Sequence, residues 1–382
     1  MRQAKRTAWF AGLWAGVVLV GVSGCADKLP LAPLPPLKPT VTADVSWKLS
    51  VGETQEGVLV PLLHDHVLYV AGETGELEAV DPGSGKSLWS LKTGEAFSAG
   101  VGIGEHEILL GNKKGEVLAW LTTGQFLWRS PISSELLAAP QGGDSMVVAR
   151  TADGKVVGLN EADGKQVWAQ SRPMPPLVLR GVGGMTLGQG AALVSLPGGK
   201  LLSLNLSDGA VQWESLVSPP HGATELERMN DVLGDPLVGD GLVCTASYQG
   251  RAACLESEHG QLVWSRDVDA QGPLVEGGDH LVLTTAKSDV MALDRRTGNV
   301  VWKIQSLEGR YLSPPTVTAS YVVIGDAEGV VHFLMREDGT EVGRITTDKS
   351  PIVQAPVFLG DDRVVVVNRE GKIFALTAHA IH

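Results

Sequence analysis

Short runs of alternating apolar and polar residues recur along most of the chain, and glycine-rich turns bound each run. The segment Gly75–Trp89, GELEAVDPGSGKSLW, contains an alternating strand, a turn with glycine, and a second strand that ends in tryptophan. Alternation with period two between such turns predicts a β-hairpin with one buried face. The pattern therefore predicts an all-β protein.

The same hairpin recurs six further times, with Gly343 in place of the final tryptophan in the last copy. The tryptophans that end the other copies are Trp89, Trp128, Trp168, Trp213, Trp264 and Trp302. Successive spacings are 39, 40, 45, 51, 38 and 41 residues. Further short strands such as HVLYVAG precede each hairpin. A period near 40 indicates an array of like units, here four-stranded antiparallel blades.

A single blade cannot bury both of its faces, so the blades must stack around an axis as a β-propeller. Tryptophan at a fixed place in each blade is explained by packing between neighbouring sheets, where its large apolar area fills the wedge. The C-terminal segment supplies three strands and no tryptophan strand, while Trp47 lies 42 residues before Trp89. We therefore predict eight blades, closed by pairing of the N-terminal strand with the last blade.

Motifs of enzymes and metal sites find little support in this chain. The stretch GSGKS resembles the end of a P-loop, but Val80 stands where that motif requires glycine, so we interpret GSGKS as a blade turn. His64 and His66 have no further ligand cluster near them in the sequence, and Gly100–Gly104 lacks the dinucleotide-binding spacing. We predict no catalytic residue, no metal and no cofactor.

The first residues combine a basic segment, MRQAKR, with a short apolar stretch that ends in VSGC. This order predicts a secretory signal peptide rather than a lasting membrane span. VSGC resembles the bacterial lipobox, which implies a lipid on Cys25. Ala26 follows it instead of the aspartate that commonly retains lipoproteins at the inner membrane, so the outer membrane is the expected destination. The net charge of −12 argues against a nucleic-acid partner.

The segment after Cys25, ADKLPLAPLPPLKPT, holds five prolines. Proline fixes φ and removes N–H donors, so this segment is predicted to be a semi-rigid tether that holds the body about 45 Å from the lipid at ~3.1 Å per residue. The predicted division is a signal peptide over 1–24, a lipid-anchored proline-rich tether over 25–44 and a propeller over 45–382.

Two further cysteines, Cys244 and Cys254, flank a predicted hairpin that turns at YQG. The hairpin would bring the two side chains opposite each other, and an oxidising periplasm permits a disulfide. The alternative is a pair of small buried thiols that do not bond, and the sequence leaves both interpretations open.

The two longest spacings place extra residues in AQSRPMPPLVLRGVGG and ESLVSPPHGATELERMNDVLGDP. Both follow the final tryptophan of a blade, so both are predicted to connect neighbouring blades on the same face and to form one composite surface. Leucines beside Arg180 and a carboxylate-rich neighbour are typical of protein interfaces. Alternatively, Leu177 and Leu179 belong to the edge of a core strand.

The lipobox, the tether, the eight repeats, LVLRG and GATELERMNDV together resemble the BamB family, lipoproteins of the outer-membrane β-barrel assembly machinery. The resemblance implies a non-enzymatic scaffold on the periplasmic face that docks on the POTRA domains of BamA and assists folding and insertion of β-barrel clients. It implies partner-binding roles for Leu177, Leu179, Arg180 and Asp231. Leu233 stands where the family has a second aspartate, and Asp235 lies two residues further on.

Two rival functions remain at this stage. The repeats also resemble those of pyrroloquinoline-quinone dehydrogenases, although those enzymes are much longer and carry paired cysteines and a calcium site that this sequence does not display. A propeller that binds small ligands in its axial channel is the other alternative. Propeller strand edges also offer a means of pairing with unfolded clients.

Overall fold

The computed structural model describes residues 31–51, 59–181 and 183–381, and every regular element within these ranges is a β-strand. The strands form eight four-stranded antiparallel sheets. The sheets are the blades of an eight-bladed β-propeller, as predicted. In the described part of the chain no helix is long and apolar enough to span a bilayer.

The first four blades are formed by consecutive strands. Blades one and two comprise β2 (Leu62–His64), β3 (Val67–Ala71), β4 (Glu76–Val80), β5 (Ser87–Lys92), β6 (Gly102–Ile103), β7 (Glu107–Gly111), β8 (Glu116–Leu121) and β9 (Phe126–Pro131). Blades three and four comprise β10 (Gln141–Gly143), β11 (Met146–Arg150), β12 (Lys155–Asn160), β13 (Gln166–Ser171), β14 (Met185–Gly188), β15 (Ala191–Leu196), β16 (Lys200–Asn205) and β17 (Val211–Leu216).

Blades five to seven follow the same order, and blade eight borrows one strand from the start of the chain. Blades five and six comprise β18 (Val232–Gly239), β19 (Leu242–Ser247), β20 (Gly250–Glu256), β21 (Leu262–Val268), β22 (Val275–Gly277), β23 (His280–Thr284), β24 (Val290–Asp294) and β25 (Val300–Ile304). Blades seven and eight comprise β26 (Thr316–Val317), β27 (Tyr321–Gly325), β28 (Val330–Met335), β29 (Glu341–Thr346), β30 (Val357–Gly360), β31 (Arg363–Val367), β32 (Lys372–Ala380) and β1 (Val41–Ser50).

Closure of the ring agrees with the sequence prediction. Strand β1 pairs antiparallel with β32, in a register that runs from Val41 opposite Ala380 to Ser50 opposite Lys372. Because β1 begins at Val41, the propeller starts four residues before the predicted boundary at 45. The predicted signal peptide over 1–24 and Cys25 lie outside the described residues.

The hydrophobic core is divided among the spaces between blades. Each pair of neighbouring blades encloses one cluster of buried apolar side chains, which gives eight clusters in the described part of the chain. The two middle strands of a blade contribute to the clusters on both sides and are buried almost throughout. The outermost strands β5, β9, β13, β17, β21 and β25 are largely exposed. A ring of blades therefore replaces the single core of an ordinary domain.

Seven tryptophans join each blade to the turn of the next blade. Their indole Nε1 atoms donate hydrogen bonds of 2.7–3.1 Å to backbone carbonyls in that turn: Trp47 to Pro82, Trp89 to Thr122, Trp128 to Glu161, Trp168 to Leu206, Trp213 to Ser257, Trp264 to Arg295 and Trp302 to Arg336. The residue of the turn that lies under each indole must have no side chain. Gly209 shows why, because its φ is +71° and a Cβ there would lie 2.6 Å from Trp168.

The missing tryptophan of the seventh repeat follows from how the ring closes. The next blade has chain ends where the other blades have this turn, since β32 and β1 are not connected in sequence. No turn carbonyl is therefore present to accept an indole. Instead the Thr40 N–H donates to the Val342 carbonyl at 2.9 Å. A Cβ on Gly343 would lie 2.5 Å from the Val41 carbonyl oxygen, so only glycine fits.

The GSGKS stretch is a blade turn, as predicted. Strand β4 ends at Val80 and β5 begins at Ser87, and the Gly85 N–H donates to the Asp81 carbonyl at 2.8 Å. The Asp81 carboxylate accepts from the Ser84 N–H and hydroxyl at 2.7 and 2.6 Å. These bonds from Ser84 lower the pKa of Asp81. The stretch closes a hairpin and has no phosphate cradle.

Cys244 and Cys254 are bonded to each other. They lie directly opposite on β19 and β20 in blade five, with Cα atoms 4.1 Å apart, and both side chains are fully buried. Of the two alternatives that the sequence left open, the structure therefore contains the disulfide.

Candidate functional site

The connections between blades meet at one face of the ring. Each runs from the outermost strand of a blade to the innermost strand of the next, so equivalent connections emerge on the same side. They surround an axial cavity of about 880 Å³ whose lining includes Arg180, Asp235 and Tyr311. Two connections are long, residues 172–184 after blade three and residues 217–231 after blade four. We call them the long connections.

The first long connection is joined through the backbone to β18, the strand that directly follows the second long connection. Gly183 forms a parallel bridge with Gly234, and the Gly184 N–H donates to the Gly234 carbonyl at 3.0 Å. Asp235 Oδ1 accepts from the Met185 N–H at 2.9 Å. A Cβ on Gly184 would lie 1.9 Å from that oxygen, so glycine permits the close approach. The predicted composite surface therefore exists in the fold.

Asp231 holds the two long connections in register. Its side chain is buried, with the residue only 2% exposed. Oδ2 accepts from the Leu179 N–H at 2.5 Å, and Oδ1 accepts from the Gly198 N–H at 3.0 Å. A carboxylate in this position cannot reach a partner directly. Asp231 instead fixes the backbone that carries Leu179 and the neighbouring Arg180.

The two leucines of the LVLR stretch point in different directions. Leu177 is 42% exposed, whereas Leu179 is half-buried against the core cluster between blades five and six. Leu233, in place of the family's second aspartate, belongs to the same cluster and is 3% exposed. Leu179 is thus placed as the core interpretation predicts, while Leu177 is left open to solvent. Leu233 lies in the same apolar cluster as Leu179.

Arg180 forms an ion pair that the sequence analysis did not foresee. Its Nη2 donates to Glu135 Oε1 at 2.8 Å. Glu135 lies in the connection after blade two, residues 132–140, so a third connection joins the surface. The Arg180 side chain stays 57% exposed while that of Glu135 is 18% exposed. Glu135 therefore orients the Arg180 guanidinium, which remains open to solvent.

The second long connection ends in an exposed apolar tip. Glu227 Oε2 accepts from the Ala223 and Thr224 N–H groups at 2.7 and 3.0 Å, and the Glu227 N–H donates to Thr224 Oγ1 at 3.2 Å. These bonds lower the pKa of Glu227, those from Thr224 and Ala223 most. The compact turn presents Leu226, which is 61% exposed. Sequence reasoning singled out the charged residues here and missed Leu226.

Two charged groups in the wall behind the surface have shifted pKa values. Burial lowers the pKa of Arg150, and the charge of Asp231 acts in the opposite direction. Desolvation by the surrounding protein raises the pKa of Asp235, whose side chain lines the axial cavity. The opposite charges of Arg150 and Asp231 therefore attract each other behind the surface.

Two short segments combine histidine with carboxylates. His64 ends β2 and His66 lies in the turn before β3, and His64 Nε2 is 3.3 Å from Asp65. This agrees with the interpretation of a polar turn. In the part of the chain that the structure describes, one group of possible ligands is close together: Glu256, Glu258 and His259. These residues lie on the turn before β21, where His259 is already paired with Glu256 at 3.3 Å.

A closed eight-bladed ring with PQQ-like repeats, and with three connections gathered into one apolar and charged surface, defines a β-propeller of the PQQ-repeat class. Residues 73–304 match the family model described as outer membrane protein assembly factor BamB. The chain belongs to this family. A BamB from Nitrosomonas eutropha is 38% identical over 348 residues, which cover 91% of this chain and 83% of that protein. The protein is accordingly an outer-membrane assembly factor and not an enzyme.

Solved structures agree on the fold. The crystal structure of BamB from Moraxella catarrhalis has a TM-score of 0.78 and 22% identity, and covers 88% of this chain and 99% of that chain. A quinohemoprotein alcohol dehydrogenase from Comamonas testosteroni has a TM-score of 0.68 and 13% identity, and covers 87% and 76%. The propeller is therefore shared with quinoprotein enzymes, while the sequence family is that of the assembly factors.

Proposed function

We propose that the protein docks on the periplasmic POTRA domains of BamA and assists folding and insertion of outer-membrane β-barrel proteins. Leu177 and Arg180 contact the partner, while Asp231, Glu135 and Leu179 hold them in place. The protein acts at the periplasmic face of the outer membrane, with Cys25 carrying its lipid.

One observation carries this proposal. The exposed Leu177, the exposed Leu226 and the Arg180 guanidinium lie on connections that Asp231 fastens together, and the Gly183–Gly234 bridge ties the first connection to β18. Preorganised apolar groups next to an oriented arginine match the composition of protein-binding hot spots. Rigid attachment also reduces the side-chain and loop entropy lost on binding.

Replacing Arg180 with glutamate is expected to weaken docking strongly. An interface arginine at a hot spot contributes about 2 kcal/mol or more, and the new carboxylate would also repel Glu135. We expect recovery of BamA with the variant to fall roughly thirtyfold. The measurement is co-purification from detergent-solubilised membranes, with BamA quantified in the eluate.

Two further variants separate partner contact from internal bracing. Arg296→Glu reverses the same charge on the exposed turn between β24 and β25, and should copurify BamA normally. The charge swap of Arg180→Glu with Glu135→Arg rebuilds the internal pair with opposite polarity. Docking through Arg180 requires the swap to stay defective. Full recovery in the swap, or normal recovery with Arg180→Glu alone, would contradict the proposed contact.

Replacing Cys25 with alanine is expected to release the protein from membranes. The thiol is the proposed lipid attachment point, so its loss removes the anchor. Because docking alone can retain some protein, the fractionation should compare Cys25→Ala with the double variant Cys25→Ala and Arg180→Glu. Mass spectrometry of the mature N-terminal peptide gives a direct check. An unmodified thiol at residue 25 would refute the anchor without touching the docking proposal.

A further inference from the structure

The second part of the proline-rich segment packs against the propeller instead of extending into solvent. From Ala32 onward it lies against blade seven, and Leu34 packs on the cluster between blades six and seven. At its far end the Thr40 N–H bonds to Val342 and the segment continues directly into β1. Residues 32–40 therefore form a strap along the outer strand β29.

Arg310 holds the start of the strap. This residue is 2% exposed, and its Nη1 donates to the Ala32 carbonyl at 2.7 Å. Nε and Nη2 donate to Asp326 Oδ2 at 3.0 and 2.5 Å, and Nη2 also donates to Glu328 Oε2 at 2.7 Å. A buried guanidinium needs acceptors on every side. The strap carbonyl supplies the one that the blade does not.

Arg344 repeats this arrangement three residues further along the strap. Its Nη2 donates to the Pro35 carbonyl at 3.2 Å and to Glu341 Oε2 at 2.8 Å. Prolines offer carbonyl acceptors and no N–H donors, whereas guanidinium offers donors only. Extended proline-rich chain has three residues per turn, so carbonyls three apart face the same side. The blade is chemically complementary to this kind of segment.

The two arginine sites share a buried support. His332 is fully buried, with Nδ1 2.7 Å from Glu341 Oε1 and Nε2 3.3 Å from Asp326 Oδ2. Burial lowers its pKa, but the bonds to both carboxylates outweigh burial and raise it. The charges that orient Arg310 and Arg344 therefore belong to one connected network inside blade seven.

The strap begins on the same face of the ring as the long connections. Arg310 lies in the connection between β25 and β26, which is equivalent to the connection that carries Arg180. Its neighbour Tyr311 lines the axial cavity together with Arg180. Ala32 is therefore held on the docking face.

We propose that Arg310 and Arg344 form a clamp for the proline-rich strap, and that the clamp turns the docking face toward the lipid bilayer. The second half rests on the proposed lipid anchor at Cys25. Seven residue steps separate Cys25 from Ala32, which span at most about 25 Å. A free tether as far as residue 44 would reach about 60 Å and would leave the orientation open.

The clamp is tested first in mature protein that carries Cys25→Ser, so that no lipid is involved. A spin label is attached to Pro36→Cys, which is exposed on the strap, while Cys244 and Cys254 remain bonded. We expect the label to move with the slow tumbling of the whole protein. In the variant Leu34→Ser with Arg344→Ala it should gain motion on the nanosecond scale of a free chain. Equal mobility in both proteins would overturn the clamp.

The orientation is tested with lipidated protein in liposomes that carry a headgroup dye. One label is placed on the docking face at Ser133→Cys and the other on the opposite face at Asp208→Cys, both exposed. We expect strong energy transfer from position 133 and weak transfer from position 208. Insertion of about ten Gly/Ser residues before Ala32 should remove the difference. Equal transfer without the insertion would overturn the orientation, whereas failure to bind liposomes would overturn the lipid anchor instead.

Discussion

Replacing Asp231 with alanine is expected to lower the free energy of unfolding by about 3 kcal/mol and to abolish docking. The substitution leaves the N–H groups of Leu179 and Gly198 without their acceptor. Each buried donor that loses its acceptor costs about 1–3 kcal/mol. Denaturant unfolding measures the global loss, and BamA recovery measures docking.

Trypsin reports whether the loss is local to the long connection. The peptide bond after Arg180 lies in the segment that Asp231 fastens, so its cleavage should become at least about tenfold faster, as local opening becomes easier. Asp289→Ala is the matched control, because Asp289 is also a buried aspartate, paired with Lys303 in blade six at 2.7 Å. The Asp289→Ala variant should lose stability, but its cleavage after Arg180 should not become faster. Unchanged cleavage in Asp231→Ala would contradict the fastening role.

Replacing Trp168 with alanine is expected to destabilise the ring by about 3–5 kcal/mol. The indole fills the space between blades three and four, and its Nε1 donates to the Leu206 carbonyl at 2.8 Å. Truncation leaves a cavity over Gly209, whose lack of a side chain prevents the turn from filling it. The midpoint and slope of a denaturation curve measure this effect.

The neighbouring Val167 provides a control on the same strand. It is 52% exposed and lies outside the cluster, so Val167→Ala should change stability by no more than about 0.5 kcal/mol. A Trp168→Ala protein as stable as Val167→Ala would show that the blades are held together without the indoles, against the packing described above.

The blade architecture could be predicted because one physical requirement repeats. Each indole needs a carbonyl and a bare glycine in the next blade, so Trp and Gly recur in the sequence at the period of the blades. Even the exception at Gly343 is regular in this sense, since closure removes the turn that an indole would contact. The closing role of β1 could likewise be derived by counting strands.

Contacts outside the repeat could not be predicted in this way. Glu135 pairs with Arg180 across two connections of different length, and no spacing in the sequence relates them. Asp231 carries the charge of an interface residue, yet its burial depends on backbone N–H groups far away in the chain. The strap likewise depends on Arg310, 278 residues beyond the carbonyl that it binds.

Strand β32 closes the ring by pairing with β1, the first of the described strands. Ser46 and Thr377 meet across the seam although they are 331 positions apart in the sequence. Contacts this distant in sequence form late, because chain entropy is lost before their energy is gained. A chain cut short before β32 would keep two open sheet edges, which invite aggregation. The pairing of β1 with β32 thus makes synthesis of β32 a condition for a closed ring.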